Sequence, residues 1–394
     1  MFGWELPPYN TGGLGVACYG MAKGLSLQGI PLAFALPKRL SIHVPFMEIL
    51  SHGLQGVEVT AINSLLKAYT HEESYTQYYE EVKEISPNYY GDSLYDETLR
   101  FGEMGALWSK QQDHDLIHTH DWLTYQAGIK AKAVSGKPLI AHIHATEYDR
   151  TGGAVNTQIA EIEYQGLNQA DKVIAVSHYT KKIVNKYYSV PLEKIHVVHN
   201  GVDLVDFKPQ KIRKIFPHDN IVLFVGRLTF QKGVEYFLES AKKVLKTNPN
   251  TVFVIVGNGD LYQKLIMKAA LLDIADRVIF TGFLQGDQLK ACYEMADAFV
   301  MPSVSEPYGI VALEALAAKT PTIISKQSGV SESISHALKV DFWDTAKMAE
   351  MITTILDYPK IANKMASQAL RETQNLTWEK TADKIMSVYD MTLN

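Results

Sequence analysis

The chain is poor in cysteine and lacks long apolar segments. Only Cys18 and Cys292 occur among its 394 residues, and both lie in helix-like segments far apart in sequence, so we expect reduced thiols that take part in packing. No run reaches the roughly 18 apolar residues of a membrane-spanning helix, and the first residues lack the basic and apolar regions of a signal peptide. The sequence therefore predicts a cytoplasmic protein without a transmembrane segment.

An excess of basic residues is also missing. With 38 Lys and Arg against 43 Asp and Glu, the formal net charge is -5, which gives no overall attraction to nucleic acid. One helical segment combines three lysines with two tyrosines and is compatible with a weak peripheral membrane contact, although a solvated helix face explains it too. These residues are Lys181, Lys182, Lys186, Tyr187 and Tyr188.

Short β-like runs alternate with helical stretches along the chain. Such alternation predicts an α/β fold with parallel sheets, and a length of 394 residues favours two domains. We expect a strand, a Gly-rich loop and a helix at 1–4, 10–15 and 16–27. Further strands are expected at 32–36, 116–119, 139–144, 173–177 and 196–198, and in a second series at 221–225, 252–256, 278–281, 298–301 and 322–324.

The segment between the two series, 200–217, carries glycine, prolines and a run of Lys and Arg. This composition is typical of a hinge between domains. We therefore predict two Rossmann-like domains, residues 1–205 and 206–377, with parallel sheets that face each other across a cleft. Open α/β sheets bind ligands at the carboxyl ends of their strands, so we expect the functional residues in that cleft.

Two carboxylates stand eight residues apart in the second series. Glu306 lies on a loop with Pro and Gly, and Glu314 lies in the Ala- and Leu-rich helix expected at 310–318. The acid and nucleophile of a glycosidase sit about 5–9.5 Å apart, whereas eight helical residues rise about 12 Å. The pair is better suited to hold two ends of one long ligand, such as a nucleotide-activated sugar, while helix-start amides bind an anion.

A guanidinium and an ammonium follow the first strand of the same series. Arg227 comes directly after the expected strand, and Lys232-Gly233 precedes the next helix. Cations and free helix amides that converge on one spot form a clamp for a diphosphate. Two solvated surface cations are the alternative, but the position directly after a strand favours the clamp.

The Gly-rich loop near the N-terminus, Gly12-Gly13-Leu14-Gly15, can bring backbone N–H groups close to a phosphate or a sugar. It does not match the dinucleotide fingerprint G-x-G-x-x-G. This difference counts against a dehydrogenase.

Four histidines end two neighbouring apolar runs. His118 and His120 are two residues apart, so a strand would point them to the same side, and His142 and His144 follow in the next run. Zinc is one interpretation, but no third ligand set with a metal-binding spacing accompanies them, so hydrogen bonding of His144 to substrate hydroxyls is favoured. Another metal candidate, Asp113-His114-Asp115, precedes a strand at the end opposite the cleft, which favours a capped surface loop.

Seven tyrosines are concentrated in an otherwise polar segment. Such rings can form a platform for an oligosaccharide acceptor, with Tyr75, Tyr78 and Tyr79 as candidates. Amphipathic helices packing on the first sheet explain the same residues. The seven are Tyr69, Tyr75, Tyr78, Tyr79, Tyr89, Tyr90 and Tyr95.

These motifs together resemble the retaining GT-B glycosyltransferases of family 4, which carry an E-x7-E motif. The resemblance covers nearly the whole chain. It rests on the two carboxylates, on the two cations of the clamp, and on three further segments, His199-Asn-Gly-Val-Asp203, Val256-Gly-Asn-Gly259 and Leu376-Thr-Trp378.

The resemblance implies that Arg227 and Lys232 bind the donor diphosphate and that Glu306 contacts the transferring sugar. Glu314 would take the ribose hydroxyls. The helix at 378–394 would pack back on the N-terminal domain. Further donor contacts would come from amides near the phosphates and from residues near the base, namely Gly309, Ile310, Val311, Phe283 and Leu284.

The N-terminal motifs also resemble bacterial glycogen and starch synthases. In those enzymes the residues that match Asp121 and His144 touch the donor glucose, and Gly13 is the contact expected from the Gly-rich loop. Those synthases carry a Lys shortly before the paired glycines, where this chain has Asn10-Thr11, and usually lack the carboxylate of Glu314. An α-glucan is therefore one candidate product among several.

Enzymes of this kind are thought to retain configuration without a protein nucleophile, because the leaving phosphate guides the acceptor hydroxyl. Cations then replace a metal. We expect metal-independent transfer of a hexose from a nucleotide-diphosphate sugar to a sugar, glucan or other hydroxyl acceptor, with no cofactor. A sugar-nucleotide epimerase and a non-catalytic sugar-nucleotide-binding protein stay open as alternatives.

Overall fold

The computed structural model describes residues 1–7, 12–39, 47–50, 54–67, 71–83, 90–204 and 219–394. The strands are β1 (Leu32–Lys38), β2 (Met47–Leu50), β3 (Val57–Asn63), β4 (Ile117–His120), β5 (Leu139–Ile143), β6 (Lys172–Ala175), β7 (Ile195–Val197), β8 (Asn220–Val225), β9 (Thr251–Val256), β10 (Val278–Gly282), β11 (Ala298–Met301), β12 (Thr322–Ser325) and β13 (Leu338–Val340). The α-helices are α1 (Gly13–Leu27), α2 (Glu72–Glu80), α3 (Leu94–Gln111), α4 (Trp122–Ser135), α5 (Glu147–Thr151), α6 (Thr157–Gln169), α7 (His178–Tyr188), α8 (Val234–Val244), α9 (Tyr262–Leu271), α10 (Gly286–Met295), α11 (Ile310–Ala317), α12 (Thr345–Asp357), α13 (Pro359–Thr373) and α14 (Trp378–Leu393).

The chain forms two compact units. Unit 1 consists of Met1–Glu147, Val155–Gly201 and Trp378–Asn394, and unit 2 consists of Tyr148–Ala154 and Val202–Thr377. Much of the segment 200–217, predicted as the hinge, lies outside the described residues. Among the described helices, none combines the length and the hydropathy that a bilayer crossing requires.

In unit 1 the start of the chain joins two groups of strands. β1, β3 and the antiparallel β2 form one group, and the parallel strands β4 to β7 form the other in sequence order. Phe2 bridges Ala35 of β1 and Thr119 of β4, and its N–H donates to the carbonyl of His118 at 2.8 Å. The prediction of a strand at 1–4 is therefore wrong, because Phe2 alone forms β-bridges in this segment.

In unit 2 six parallel strands lie in the order β10-β9-β8-β11-β12-β13. If the strands are numbered from β8 as the first, the order is 3-2-1-4-5-6, which is the order of a doubly wound dinucleotide-binding sheet. The sheet is covered on both faces, so its strands are apolar runs, and every residue of β9 is buried. The order reverses between β8 and β11, and open sheets of this kind bind ligands at the carboxyl ends of the strands at such a point.

The predicted α/β architecture with parallel sheets is confirmed, apart from β2 at an edge. All ten strands expected after residue 4 are present within about two residues. β2, β3 and β13 were not predicted. Cys18 lies in α1 and Cys292 in α10, and both thiols are free.

α14 packs along α1 within unit 1. The ring of Trp378 lies against Gly20, where an added Cβ would come within 2.1 Å of the indole Cε2 atom. At Gly24 a Cβ would meet the carbonyl oxygen of Trp378 at 2.6 Å. The two glycines therefore allow the helices to approach closely.

Candidate functional site

The loops after β8 and β11 meet at the point where the strand order of unit 2 reverses. The N–H of Val304 donates to the carbonyl of Gln231 at 2.8 Å, which ties the two loops together. Gly233 has φ +68°, and a Cβ there would lie 2.0 Å from the carbonyl oxygen of Pro302. Only glycine permits both the left-handed backbone and this approach.

The loop after β9 packs against the same place. Gly257 has φ +139°, and a Cβ there would lie 1.9 Å from the oxygen of Gly226. The N–H of Leu228 donates to the carbonyl of Asn258 at 2.9 Å. These contacts fix the backbone on both sides of Arg227, which is half-buried.

Lys232 and Glu306, predicted from separate motifs, form an ion pair at this point. Lys232 Nζ lies 2.7 Å from Glu306 Oε2, and the Ser303 hydroxyl donates to the same oxygen at 3.0 Å. The side chains are 20% and 7% exposed, so removal of the lysine alone leaves a nearly buried carboxylate without its charge partner. Sequence reasoning did not identify Ser303.

The backbone of Glu306 is held by the loop after β12. Its N–H donates to the carbonyl of Gln327, and its own carbonyl accepts from Gly329, both at 2.9 Å. The neighbouring Ser305 hydroxyl donates to Asp149 Oδ1 at 2.5 Å. Glu306 therefore has a fixed position relative to the sheet.

Helix α11 begins beside this loop. Gly309 is its N-cap with φ +110°, and no side chain among the described residues caps it, so the first amides, at Ile310 and Val311, lack the usual capping partner. Glu314 lies one turn further on, and its Oε2 accepts a hydrogen bond from the buried Tyr293 hydroxyl at 2.8 Å. Burial and the adjacent carboxylate raise the pKa of Tyr293 well above its usual value.

Phe283 and Leu284 follow β10, two strands away from the reversal point. Phe283 is 55% exposed and Leu284 is half-buried. The structure thus places them on the carboxyl side of the same sheet, at its edge.

In unit 1 the four histidines form one cluster on β4 and the end of β5. His118 Nε2 lies 3.2 Å from His142 Nδ1, and His120 Nδ1 lies 3.1 Å from His144 Nε2. The Tyr389 hydroxyl on α14 is 2.7 Å from His118 Nδ1. The rings of His142 and His144 stack with centroids 4.2 Å apart.

Burial keeps these imidazoles neutral. It lowers the pKa of His144 to about 3. For the other three, burial and repulsion between neighbouring rings lower the pKa well below the usual value. Each ring therefore offers one N–H and one lone pair near neutral pH.

Asp121 follows β4 with φ +60°, a conformation that costs a residue other than glycine energy and is common at functional sites. Its Oδ1 accepts from the backbone N–H of His144 at 2.6 Å and from that of Ala145 at 3.4 Å. Asp121 thus ties the end of β4 to the end of β5.

Sequence reasoning missed two residues of this region. The carboxylate of Glu5, which is completely buried, accepts from the N–H of Gly15 at 2.9 Å and so holds the Gly-rich loop where α1 begins at Gly13. Cys18 on α1 forms a potential metal-binding group with His120 and His144, with one ligand atom of each within 4.8 Å of the others. The spacing from Cys18 to the histidines carries no sequence signal, because the fold brings them together.

The prediction of a tyrosine platform is wrong for Tyr75. Tyr75 is completely buried, and its hydroxyl donates to the carbonyl of Gly91, so its ring packs inside unit 1. Tyr78 and Tyr79 are half-buried; Lys67 Nζ lies 3.6 Å from the ring centre of Tyr78, and the Tyr79 hydroxyl donates to Asp92. Tyr69 and Tyr89 lie outside the described residues.

The remaining candidates differ in exposure, and Tyr188 of the lysine-rich segment is buried. Asp113 and Asp115 are exposed before β4, at the amino end of that strand, and Asp115 lies 3.8 Å from Lys137. In the lysine-rich segment, Lys181 Nζ donates to the carbonyl of Ile195 at 2.6 Å, so this lysine serves the packing of α7.

Comparison with known proteins gives two family matches. Residues 207–372 match the model for glycosyl transferases group 1, and residues 52–206 match the model for Glycosyltransferase Family 4. The chain is 30% identical to an uncharacterized glycosyltransferase of Methanocaldococcus jannaschii, over 100% of this chain and 98% of that protein.

It is also 28% identical to a glycogen synthase of Mycobacterium tuberculosis, over 99% of this chain and 93% of the relative. Among solved structures, the sucrose-phosphate synthase from Thermosynechococcus elongatus superimposes with a TM-score of 0.80 at 20% identity, covering 99% of this chain and 97% of that one. The structural likeness extends to the whole fold.

Proposed function

The chain belongs to the family 4 glycosyltransferases of the GT-B type, and we propose that it transfers a hexose from a nucleotide-diphosphate sugar to a hydroxyl acceptor with retention of the α configuration. The observation that supports this most is the Lys232–Glu306 pair at the reversal point of the unit 2 sheet. A diphosphate that binds the lysine there brings its sugar next to the carboxylate.

The chemistry that these residues can supply is electrostatic. Arg227 and Lys232 stabilise the departing diphosphate, and amides at Gly309, Ile310 and Val311 add dipoles of the same sign. Glu306, fixed by Ser303 and by backbone hydrogen bonds, positions the sugar ring. The proposal relies on these cationic side chains and helix amides, and it includes no metal ion and no cofactor.

Glu314 is the proposed partner of the donor ribose. Its carboxylate is oriented by Tyr293, and one oxygen is enough to accept from a ribose hydroxyl. Phe283 and Leu284 would lie towards the base. In unit 1, Gly13, Asp121 and His144 are proposed to contact the sugar, and Tyr78 and Tyr79 are the candidates that remain for the acceptor.

The first choice of donor sugar is glucose, because the glycogen synthase relative spans nearly the whole chain. Its match supports an α-glucan acceptor as the first to test. The proposed setting is the cytoplasm.

The experiment is an assay with UDP-, ADP- and GDP-glucose, each with and without a maltooligosaccharide, in magnesium or in EDTA. We expect one donor to release its nucleotide diphosphate only with the acceptor, at equal rates in both buffers, and NMR to show a new α-linked glucose. An epimerised nucleotide sugar formed without acceptor would instead identify an epimerase. Donor binding without turnover across a wide acceptor panel would favour the non-catalytic alternative.

A further inference from the structure

The histidine cluster of unit 1 contains ligand atoms that its own hydrogen bonds do not use. His142 is completely buried, and its Nε2 atom and the Nδ1 atom of His144 have no hydrogen-bond partner among the described residues. Pairing with His118 and His120 satisfies one nitrogen of each ring only. The hydrogen bonds within the cluster therefore leave some of its imidazole nitrogens unused.

We propose that Cys18, His120 and His144 bind a zinc-like cation. One ligand atom of each lies within 4.8 Å of the other two, although the three residues come from α1, β4 and the end of β5. A thiolate and two imidazoles form the donor set of open zinc sites, which take water or another ligand as the fourth partner.

The distance between the two histidines is close to that in a zinc site. His120 Nδ1 and His144 Nε2 are 3.1 Å apart. Two zinc–nitrogen bonds of about 2.0–2.1 Å at a tetrahedral angle hold the nitrogens about 3.3–3.4 Å apart. The rings therefore need to separate by only about 0.2–0.3 Å for an ion to replace the hydrogen bond.

The donor set also decides which ions are suitable. Thiolate and imidazole favour zinc, cobalt and copper, whereas magnesium and calcium prefer oxygen ligands. The proposed ion is thus different from the magnesium that assists sugar-diphosphate chemistry in other enzymes. By exposed surface, His144 is half-buried, and Cys18 is buried.

The functional consequence rests on the proposed transferase activity. His144 is one of the residues proposed to contact the donor sugar, so an ion bound to its imidazole removes that contact. Zinc therefore inhibits transfer, and removal of zinc restores it.

The test measures binding directly and does not depend on activity. The purified protein is stripped with a chelator and titrated with Co²⁺, whose thiolate ligation gives a charge-transfer absorption band. We expect the band to saturate at one equivalent, and Zn²⁺ to abolish it by displacement. Cys18→Ala removes the band and weakens Zn²⁺ binding by more than the roughly tenfold that loss of an outer-shell partner costs. Cys292→Ala, which removes the thiol of unit 2, retains both.

Circular dichroism checks that each variant is folded, and Cys18→Ser replaces Cys18→Ala if the latter is not. A wild-type protein that gives no charge-transfer band, or a band that survives in the folded Cys18 variant, overturns the proposal. If the band appears but no transferase activity is found, the proposed function fails and the metal site stands. If transfer occurs and zinc does not inhibit it, the inhibitory role is wrong.

Discussion

At the scale of single residues, charge pairing controls the candidate site of unit 2. Lys232 lies 2.7 Å from Glu306, and breaking a buried pair by removing one partner costs about 3–5 kcal/mol, because the remaining charge stays buried. Variants of this pair therefore combine a stability effect with any catalytic effect. Kinetics and unfolding must be measured on the same protein.

Arg227→Ala tests the clamp without breaking that pair. We expect kcat to fall about 10²–10³-fold, the typical loss when one preorganised charge-stabilising group is removed. Lys268→Ala, which breaks a surface ion pair with Glu239 in the same unit, serves as the control and should leave kcat unchanged. A loss below tenfold for Arg227→Ala would contradict its assignment.

Tyr293→Phe tests the orientation of Glu314. The loss of one hydrogen bond to a carboxylate costs about 1.5–3 kcal/mol, and we expect it to appear as a higher KM for the donor with kcat little changed, because the ribose does not react. Tyr75→Phe removes a hydroxyl that is equally buried in unit 1. It should lower stability while the donor KM stays the same.

Sequence patterns predicted residues that lie on one continuous motif, and missed those that depend on the fold. Lys232 and Glu306 each follow a strand, and sheet order makes them neighbours. Glu5 and Cys18 carry no such signal. Glu5 comes close to Gly15, and Cys18 to His144, only because of how α1 packs within unit 1.

At the scale of elements, parallel buried strands were the most predictable. Their residues are apolar on both faces, so β8, β9 and β11 stand out in the sequence. β2, β3 and β13 each contain a charged residue, Glu48, Glu58 and Lys339, which interrupts the apolar pattern. The apolar residues at the start of the chain predict a strand, but among them only Phe2 forms β-bridges.

The close contact of α1 with α14 gives a prediction for Gly20→Ala. The new methyl group would lie 2.1–2.6 Å from three ring atoms of Trp378, so the helices must separate. We expect a loss of about 1–3 kcal/mol despite the better helix propensity of alanine. Gly13 lies in the same helix, and a Cβ added there has nothing within 4 Å, so Gly13→Ala should leave the free energy of unfolding unchanged or raise it. Urea unfolding of both variants measures the difference.

At the scale of the whole molecule, donor binding should be visible as stabilisation. A ligand at 100 times its Kd adds about 2.7 kcal/mol to the free energy of unfolding. We expect one nucleotide sugar to raise the melting temperature of the wild type and of Lys268→Ala equally in magnesium and EDTA. Lys232→Ala should show no such shift. A shift that needs magnesium would contradict the metal-independent proposal.

The division into units also constrains the order in which the protein is made. Unit 1 is interrupted by residues 202–377 and completed only by Trp378–Asn394. A ribosome that adds about 5–20 residues per second needs about 9–35 s for that interval. During this time α14 has not been synthesised, and the face of α1 around Gly20 is uncovered. This exposed face is a site at which a chaperone can bind the nascent chain before the final helix emerges.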